Sequence, residues 1–289
     1  MTETVRIESD SLAVEVSSLG AEMQSLSHKD GRSFLWSGDP AWWSGRSPIL
    51  FPIVGKAPGD MLEISGQHYP LKQHGFARRS TFALVDQGQG FCRHRLGSSP
   101  ETMAVYPFDF VLELEHRLHG NRLTVAATVA NLGPAPMPYG IGFHPAFAWP
   151  LPGSEGRQHR IILDNGAEPP LFRLSDGLLS PQPYISPFVA GSLELAPALF
   201  ADDAMIFPES AGTGLVYGVE NGPTLRFTFD NLPNLALWQK PGAPFLCIEP
   251  WHGMAALAGG TAELAERPFT TLLAGGQDAR YSFSVELPV

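Results

Sequence analysis

A clear alternation of apolar and polar residues between positions 110 and 118 constrains the fold most. Apolar side chains stand at positions 110, 112, 114 and 118, and charged ones stand at 113, 115 and 117. This is the pattern of a β-strand with one buried face. Gly120 and Asn121 then predict a tight turn into a second strand over residues 123–129. This part of the chain is therefore predicted to be an antiparallel hairpin.

Similar patterns recur along most of the 289 residues. A first hairpin is predicted over residues 5–16, and a turn at residues 29–32 separates two further β segments, 23–28 and 34–36. Helical periodicity is nearly absent; the best segment begins with a capping-type Thr261 and is stopped by Pro268 within two turns. We expect an all-β chain that forms one large antiparallel domain over residues 1–289. Further strands are predicted at residues 160–163, 225–229, 235–239, 245–249 and 281–287.

Composition and charge argue against several classes of function. Hydrophobic residues make up 44% of the chain and charged residues 17%, which is typical of a globular protein. The net charge of -10 and the lack of a dense basic run argue against nucleic-acid binding. No apolar run reaches the roughly 18 residues of a transmembrane helix, and the polar start has no secretory core. We therefore expect a cytoplasmic protein without a membrane partner, with Cys92 and Cys247 as buried thiols.

The residues most suggestive of chemistry lie in the run CIEPWHG at positions 247–253. It places Glu249 at the end of an apolar β segment, where a carboxylate is held rigidly and can still reach a cavity. His74, His144 and His252 each stand beside a Gly or a Pro. Each histidine alone fits a structural role, whereas together with Glu249 they form a candidate acid and base set.

Metal binding and covalent catalysis are the alternatives at this run. Glu249 and His252 have a Glu-x-x-His spacing, which brings both side chains together only on a helix, and Pro250 argues against a helix. We therefore expect no metal. Neither cysteine is flanked by groups that would activate it, and the chain has no nucleophile elbow, Walker loop or dinucleotide motif.

Aromatic residues cluster around the same runs. Most are expected in the core, but one or two beside the histidines are candidates to stack on the C–H face of a sugar. The set comprises Trp36, Trp42, Trp43, Phe76, Phe143, Phe147, Trp149, Trp238 and Trp251.

Five runs, spread in order over nearly the whole chain, resemble the aldose 1-epimerase, or galactose mutarotase-like, superfamily. The most similar branch is a bacterial aldose 1-epimerase-like subgroup near the hexose-6-phosphate epimerases, which also carry the run HGFAR. The resemblance implies a β-supersandwich of large antiparallel sheets, a sugar bound in an open cleft, and no cofactor. The runs are FPIVGK at 51–56, HGFAR at 74–78, GFHPAF at 142–147, LFADDA at 199–204 and CIEPW at 247–251.

The resemblance also implies catalytic roles. Glu249 matches the family's general base and His144 its general acid. His74 matches a second imidazole on the ring-oxygen side of the sugar. These assignments are what the family implies for the positions that match its motifs.

Further residues are expected to bind substrate. Asp203 matches a carboxylate that binds sugar hydroxyls, although Asp202 leaves that register open by one residue. Arg78 and Trp251 belong to the same expected set. Lys56 stands where relatives usually carry Arg, so a point charge replaces a bidentate fork.

Together these roles predict a mutarotase that interconverts the α and β anomers of a hexose or related sugar by acid–base ring opening. Three alternatives stay open. One is a glucose-6-phosphate 1-epimerase-type activity, the second is a non-catalytic carbohydrate-binding or sensing protein, and the third is a lyase or hydrolase acting on a polysaccharide. Few basic residues lie near the motifs, which favours a free sugar only slightly. The expected partner is a small sugar, and we expect a monomer or homodimer.

Overall fold

The computed structural model describes residues 3–209 and 212–288. No helix in this part of the chain is long and apolar enough to cross a membrane. It contains one short helix, α1 (Pro100–Met103), and 3₁₀ turns at Pro58–Asp60, Ala77–Arg79, Pro197–Phe200 and Leu264–Glu266. The strands are β1 (Thr4–Glu8), β2 (Leu12–Ser17), β3 (Met23–His28), β4 (Ile49–Leu50), β5 (Met61–Ile64), β6 (Gln67–Pro70), β7 (Ala83–Gly88), β8 (Phe91–Gly97), β9 (Phe110–His119), β10 (Arg122–Asn131), β11 (Met137–Tyr139), β12 (Ile141–Phe143), β13 (Ala146–Ala148), β14 (His159–Leu163), β15 (Leu174–Ser175), β16 (Leu178–Leu179), β17 (Ser192–Glu194), β18 (Met205–Phe207), β19 (Gly214–Val219), β20 (Thr224–Asp230), β21 (Asn234–Trp238), β22 (Phe245–His252), β23 (Thr271–Leu273) and β24 (Asp278–Glu286).

Two large antiparallel sheets form the body of the molecule. The nine-stranded sheet has the order β17-β14-β19-β20-β24-β10-β9-β8-β7, and the six-stranded sheet contains β18-β21-β22-β12-β4, with β13 also paired to β22. Their inner faces meet through aromatic contacts. Phe147 lies 5.0 Å from Phe227, and Phe143 lies 5.1 Å from Phe283, measured between ring centroids. The predicted all-β supersandwich is confirmed.

The six-stranded sheet has two unlike faces, because side chains alternate along each strand. On the inner face, residues such as Leu237 and Ile248 are buried in the main core. On the outer face lie Ala236, Glu249 and Trp251, all buried. Loop residues rather than another large sheet pack against this outer face. The arrangement leaves room there for a cavity.

The register of β22 places Glu249 opposite His144. β22 pairs with β12 on one side of this point and with β13 on the other, and both pairings follow one continuous register. His144 lies in the short gap between β12 and β13. Residues directly opposite each other in an antiparallel pair share a face of the sheet. The imidazole therefore meets the carboxylate on the outer face.

β22 continues past Glu249, so the expectation that this residue ends its strand is wrong. The strand runs through Pro250 to His252. The Ile248 N–H donates to the Pro145 carbonyl (3.1 Å), and amides two residues apart point to the same neighbouring strand. Pro250, which has no N–H to donate, therefore turns its nitrogen toward the junction of β12 and β13. The ladder of backbone hydrogen bonds is already incomplete there.

Most predicted strands are confirmed, with two corrections. The alternating hairpin forms β9 and β10, and the first hairpin forms β1 and β2. The segment 34–36 makes only an isolated bridge, between Leu35 and Phe147. The predicted helix at 261–267 is a single 3₁₀ turn capped by Glu263, whose carboxylate accepts from the Ala265 N–H. Cys92 and Cys247 are buried and free, as expected.

Two buried histidines lie on the core side of neighbouring strands, His94 in β8 and His116 in β9. Within the described part of the chain, neither ring nitrogen of His94 has a hydrogen-bond partner, and the Nδ1 of His116 has none either. Burial, and for His116 also the neighbouring His94, lowers the pKa of both imidazoles, that of His116 to about 3. The fold therefore holds both rings in the neutral form.

We predict that this pair makes the protein acid-sensitive. The pKa of His116 in the fold lies below the unfolded value of about 6.5, so its contribution to stability is complete above pH 6.5 and is lost as pH falls from there toward 3. For His116→Leu, the drop in unfolding free energy between pH 7 and pH 5 should be smaller than in the parent by about 2 kcal/mol. Denaturant unfolding at both pH values measures this difference. Exposed His119 on the same strand supplies the control His119→Leu, and equal drops in parent and His116→Leu would contradict the prediction.

Candidate active site

A cavity of about 420 Å³ opens on the outer face of the six-stranded sheet. Its volume is that of a typical small-molecule site. Residues in or directly beside the strands of the six-stranded sheet form the floor, and loop residues, including His74, Arg78 and Asp203, form the walls. The floor side chains are those of His144, Ala204, Ile206, Trp238, Glu249 and Trp251.

Glu249 and His144 form the polar centre of the floor. Glu249 Oε2 lies 3.3 Å from His144 Nε2, and the two residues are 2% and 7% exposed. Burial raises the pKa of the Glu249 carboxyl well above its ordinary value, and the Arg78 charge opposes that shift. Burial lowers the pKa of His144 well below its ordinary value, and electrostatic interactions with His74 and Arg78 lower it further. Both shifts favour uncharged groups, so the pair holds one dissociable proton between its two members.

Aromatic rings enclose the His144 imidazole. The ring of Trp43 lies 4.9 Å from it and that of Trp238 lies 5.8 Å from it, measured between centroids. The His144 Nδ1 has no hydrogen-bond partner in the described residues, so Nε2 is the nitrogen available for proton transfer to a ligand or to Glu249. The sequence predicts one or two aromatic residues beside the histidines without specifying which, and Trp43 and Trp238 take that position.

Trp251 lies directly over Gly142 of the adjacent strand. A Cβ at position 142 would come within 2.4 Å of the Trp251 ring, so only glycine lets the indole lie flat on the sheet. The indole N–H is near enough to Glu249 to lower the pKa of its carboxyl. It nevertheless has no partner with hydrogen-bond geometry in the described part of the chain. The indole nitrogen is buried, so the ring offers its apolar surface to the cavity.

His74 reaches the cavity from a tight turn. Its backbone has a φ of 65°, its N–H donates to the Gly55 carbonyl (2.9 Å), and the Gly55 N–H donates to its Nδ1 (3.1 Å). Because Nδ1 accepts a backbone proton, the neutral ring carries its own proton on Nε2. Burial, followed by the charges of Arg78 and Arg79, lowers the His74 pKa. Part of the side chain still meets solvent, which moderates the effect of burial.

A buried arginine supports the turn that holds His74. Arg267 is 5% exposed and donates from Nη2 to the carbonyls of Val54 (2.8 Å), Met254 (2.8 Å) and Lys56 (3.2 Å). Burial lowers its pKa to about 10, so it remains a cation at neutral pH. Its guanidinium fixes both sides of Gly55, the residue that sets the His74 tautomer. No local pattern in the sequence indicates this role.

Arg78 and Asp203 line the cavity with groups free to bind a ligand. Neither side chain has a hydrogen bond or ion pair within 4.0 Å to another described residue. Asp203 lines the cavity and Asp202 does not. A cation and an anion therefore face the cavity from different walls.

Lys56 and His252 are not brought to the cavity. The Lys56 side chain lies against Gly177, where an added Cβ would be 3.0 Å from its Cδ. His252 falls on the other face of β22 from Glu249, and its Nδ1 lies 2.9 Å from the Asn231 carbonyl. Strand alternation separates Glu249 from His252, so the Glu-x-x-His spacing makes no ligand pair. Two side chains that the sequence did not assign, Gln73 and Leu174, line the cavity instead.

One group of side chains has the spacing of a metal site. The ligand atoms of His144, Cys247 and Glu249 lie within 4.8 Å of one another. Burial, and then the charge of Glu249, raises the pKa of the Cys247 thiol well above its ordinary value. Metal binding through Cys247 would require the thiolate, which burial disfavours. The chemistry of the set favours proton transfer between Glu249 and His144.

Comparison with known proteins places this architecture in a family. A model of the aldose 1-epimerase family matches residues 3–168. The chain belongs to the aldose 1-epimerase family, and its mutarotase-like relatives support an aldose epimerase function.

Particular relatives match over nearly the full length. The plasmid-encoded protein LacX of Lactococcus lactis subsp. lactis is 29% identical over 298 residues, which cover 98% of this chain and 99% of LacX. A galactose mutarotase related enzyme from Lactobacillus acidophilus has a TM-score of 0.94 and 27% identity, covering 99% of this chain and 98% of its own. A galactose mutarotase-like protein from Lactobacillus casei has a TM-score of 0.92 and 26% identity, with coverages of 99% and 100%.

We predict that His74 stays neutral in mildly acidic solution, with its proton on Nε2. Its lowered pKa means that protonation occurs below the ordinary value of about 6.5. Nitrogen-15 NMR of the imidazole between pH 7 and pH 5 reports both charge and tautomer, and the histidines of the urea-unfolded chain supply the ordinary titration. Arg78→Ala should raise the His74 pKa, because it removes a neighbouring positive charge. An Nδ1–H tautomer, or a ring titrating at 6.5 or above, would refute this.

Proposed function

We propose that this protein interconverts the α and β anomers of a hexose or related sugar by acid–base ring opening. The observation that carries the proposal is the 3.3 Å contact of Glu249 with His144 on the cavity floor. The anomeric hydroxyl oxygen and the ring oxygen are both bonded to C1 of the sugar. An acid and a base that serve these two oxygens must therefore lie side by side, as Glu249 and His144 do.

The reaction needs one proton to leave the sugar and one to enter it. With Glu249 as carboxylate and His144 as imidazolium, Glu249 takes the proton of the anomeric hydroxyl while His144 gives its proton to the ring oxygen. The C1–ring oxygen bond breaks and an aldehyde forms. Rotation about the C1–C2 bond and closure with the roles reversed yield the other anomer.

The pair holds one proton throughout these steps. It begins as carboxylate and imidazolium and, once the ring is open, is carboxylic acid and neutral imidazole. Burial favours this second, uncharged state, whereas Arg78 favours the carboxylate of Glu249 and opposes the imidazolium of His144. Positioned acid and base groups typically contribute about 10²- to 10⁴-fold each. Only proton transfers are required, so the proposed reaction calls for no cofactor.

The walls of the cavity supply the proposed sugar contacts. His74 offers an Nε2–H donor, Arg78 a cation, and Asp203 an acceptor for hydroxyls. Trp251 offers a flat apolar face. Lys56 stays outside this proposed set, since its side chain packs on the hairpin of β15 and β16.

A sugar 6-phosphate is a second candidate substrate. It is favoured by the unpartnered guanidinium of Arg78 and by the neighbouring Arg79, which also lines the cavity. Arg79 donates from Nη1 to the Gly75 carbonyl (2.8 Å) and has donors left over. A sensor on the same fold is disfavoured, because binding alone needs no acid beside a base.

The proposal is tested by anomer exchange with a panel of aldohexoses, pentoses and their terminal phosphates. Polarimetry and anomeric-proton exchange NMR both measure the rate above the uncatalysed background. We expect acceleration with at least one sugar. Binding without acceleration across the whole panel would point to the sensor instead.

We predict that Glu249→Gln abolishes nearly all catalysis while sugar binding is retained. The amide keeps the shape of the side chain but cannot take a proton, so kcat should fall by about 10²- to 10⁴-fold. The sugar Kd, measured by calorimetry, should stay within a few-fold of the parent. His144→Asn should behave in the same way through loss of the acid. Glu194→Gln, on the exposed edge strand β17, is the matched control, and a parental rate in Glu249→Gln would remove Glu249 from the base role.

We predict that Arg78→Ala raises KM more than it lowers kcat. A hydrogen bond to a charged group contributes about 1.5–3 kcal/mol, which corresponds to roughly 10- to 150-fold in KM. Steady-state kinetics on a free hexose and on its 6-phosphate should be compared. If Arg78 binds a phosphate, the loss is larger for the phosphorylated sugar. A fall in kcat with unchanged KM would instead place Arg78 in the chemical step.

A further inference from the structure

Asp203 is held in the cavity wall by its backbone alone. Its residue is exposed, and no described side chain donates to its carboxylate. Its φ is 66°, a left-handed conformation that Asp adopts more readily than most residues other than glycine. Contacts made by the backbone of this turn therefore decide where the carboxylate points.

Arg173 grips the turn from outside the cavity. Its Nη1 donates to the Asp203 carbonyl (2.7 Å) and approaches the Asp202 carbonyl (3.4 Å), and its Nη2 donates to the Leu199 carbonyl (2.8 Å). The three carbonyls belong to one loop, which runs from the end of the 3₁₀ turn Pro197–Phe200 to the start of β18. A planar guanidinium can serve several acceptors from one rigid fork.

The segment that carries Arg173 is itself fixed to the sheet. Phe172 and Ile206 of β18 exchange two backbone hydrogen bonds, of 2.8 Å and 3.1 Å. The backbone of Arg173 therefore lies beside β18, the strand that begins two residues after Asp203. The next residue, Leu174, lines the cavity. The cavity wall on this side is one unit, tied together by the Arg173 side chain.

We propose that Arg173 is a positioning residue that sets the reach of the Asp203 carboxylate toward the sugar hydroxyls. The inference rests on the proposed sugar-binding role of Asp203. Arg173 itself does not line the cavity. It acts by fixing the backbone from which Asp203 projects, and it leaves the acid–base pair on the floor untouched. Loss of Arg173 should therefore weaken sugar binding and leave the chemical step nearly unchanged.

Four variants and a control test this by kinetics and calorimetry. Arg173→Met keeps the length of the side chain without its donors, and Arg173→Lys keeps the charge but loses the fork. Asp203→Asn and the double variant Arg173→Met/Asp203→Asn complete a double-mutant cycle. Arg160→Met, which removes an arginine paired with Glu220 on the opposite large sheet, is the control.

We expect Arg173→Met to raise KM and Kd about tenfold, with kcat within about threefold of the parent. Arg173→Lys should be intermediate. In the Asp203→Asn background, Arg173→Met should have little further effect, because the group it positions is already gone. Additive losses in the double variant, or equal falls in kcat and kcat/KM, would overturn the inference in favour of a general structural role.

Hydrogen exchange provides a readout that does not depend on activity. Amides of the segment 199–205 should exchange faster in Arg173→Met and at the parental rate in Arg160→Met. Unchanged exchange in Arg173→Met would refute the inference even if no sugar of the panel were turned over. Faster exchange together with a parental Kd in Asp203→Asn would refute the binding role of Asp203 and leave the grip of Arg173 on the loop intact.

Discussion

The site depends on one contact, that of Glu249 with His144 across the centre of the six-stranded sheet. The contact exists because β22 keeps a single register past the gap between β12 and β13. A slip of one residue would turn Glu249 into the main core and Ile248 into the cavity. The large apolar interface between the two sheets makes such a slip costly. Sandwich packing therefore sets the geometry of the acid–base pair.

Burial gives this pair its chemical character. Neither group is stable as an isolated ion in that position, because desolvation opposes charge on both. A proton passing between them changes two buried charges at once without altering the net charge of the site. Trp43 and Trp238 pack against the imidazole, while the charge of Arg78 favours the carboxylate. The same surroundings suit a reaction that moves protons within the site and exchanges none with solvent.

The fold and the centre of the site followed from sequence patterns that have a local cause. Alternation in residues 110–118 reports a half-buried strand directly, and the motifs around Glu249 and His144 belong to strands whose pairing brings them together. Other features depend on contacts between distant segments. The choice of Asp203 over Asp202 follows from a left-handed turn held by Arg173, and no local pattern at 199–204 encodes that arginine. The strand context of β22 likewise moved His252 away from the site.

Chemistry and recognition are supported by different parts of this structure. Glu249 lies on β22 and His144 lies opposite it between β12 and β13, whereas Asp203 and His74 lie on loops supported by arginines that donate only to backbone carbonyls. A backbone carbonyl is present whatever the side chain, so these arginines tolerate sequence change in the loops they hold. The loops can therefore vary in the groups they show to a sugar while the acid–base pair stays fixed. In the proposed reaction, such a division would let one mechanism serve different aldoses, because the reacting atoms are common to all of them and the distinguishing hydroxyls would meet the loops.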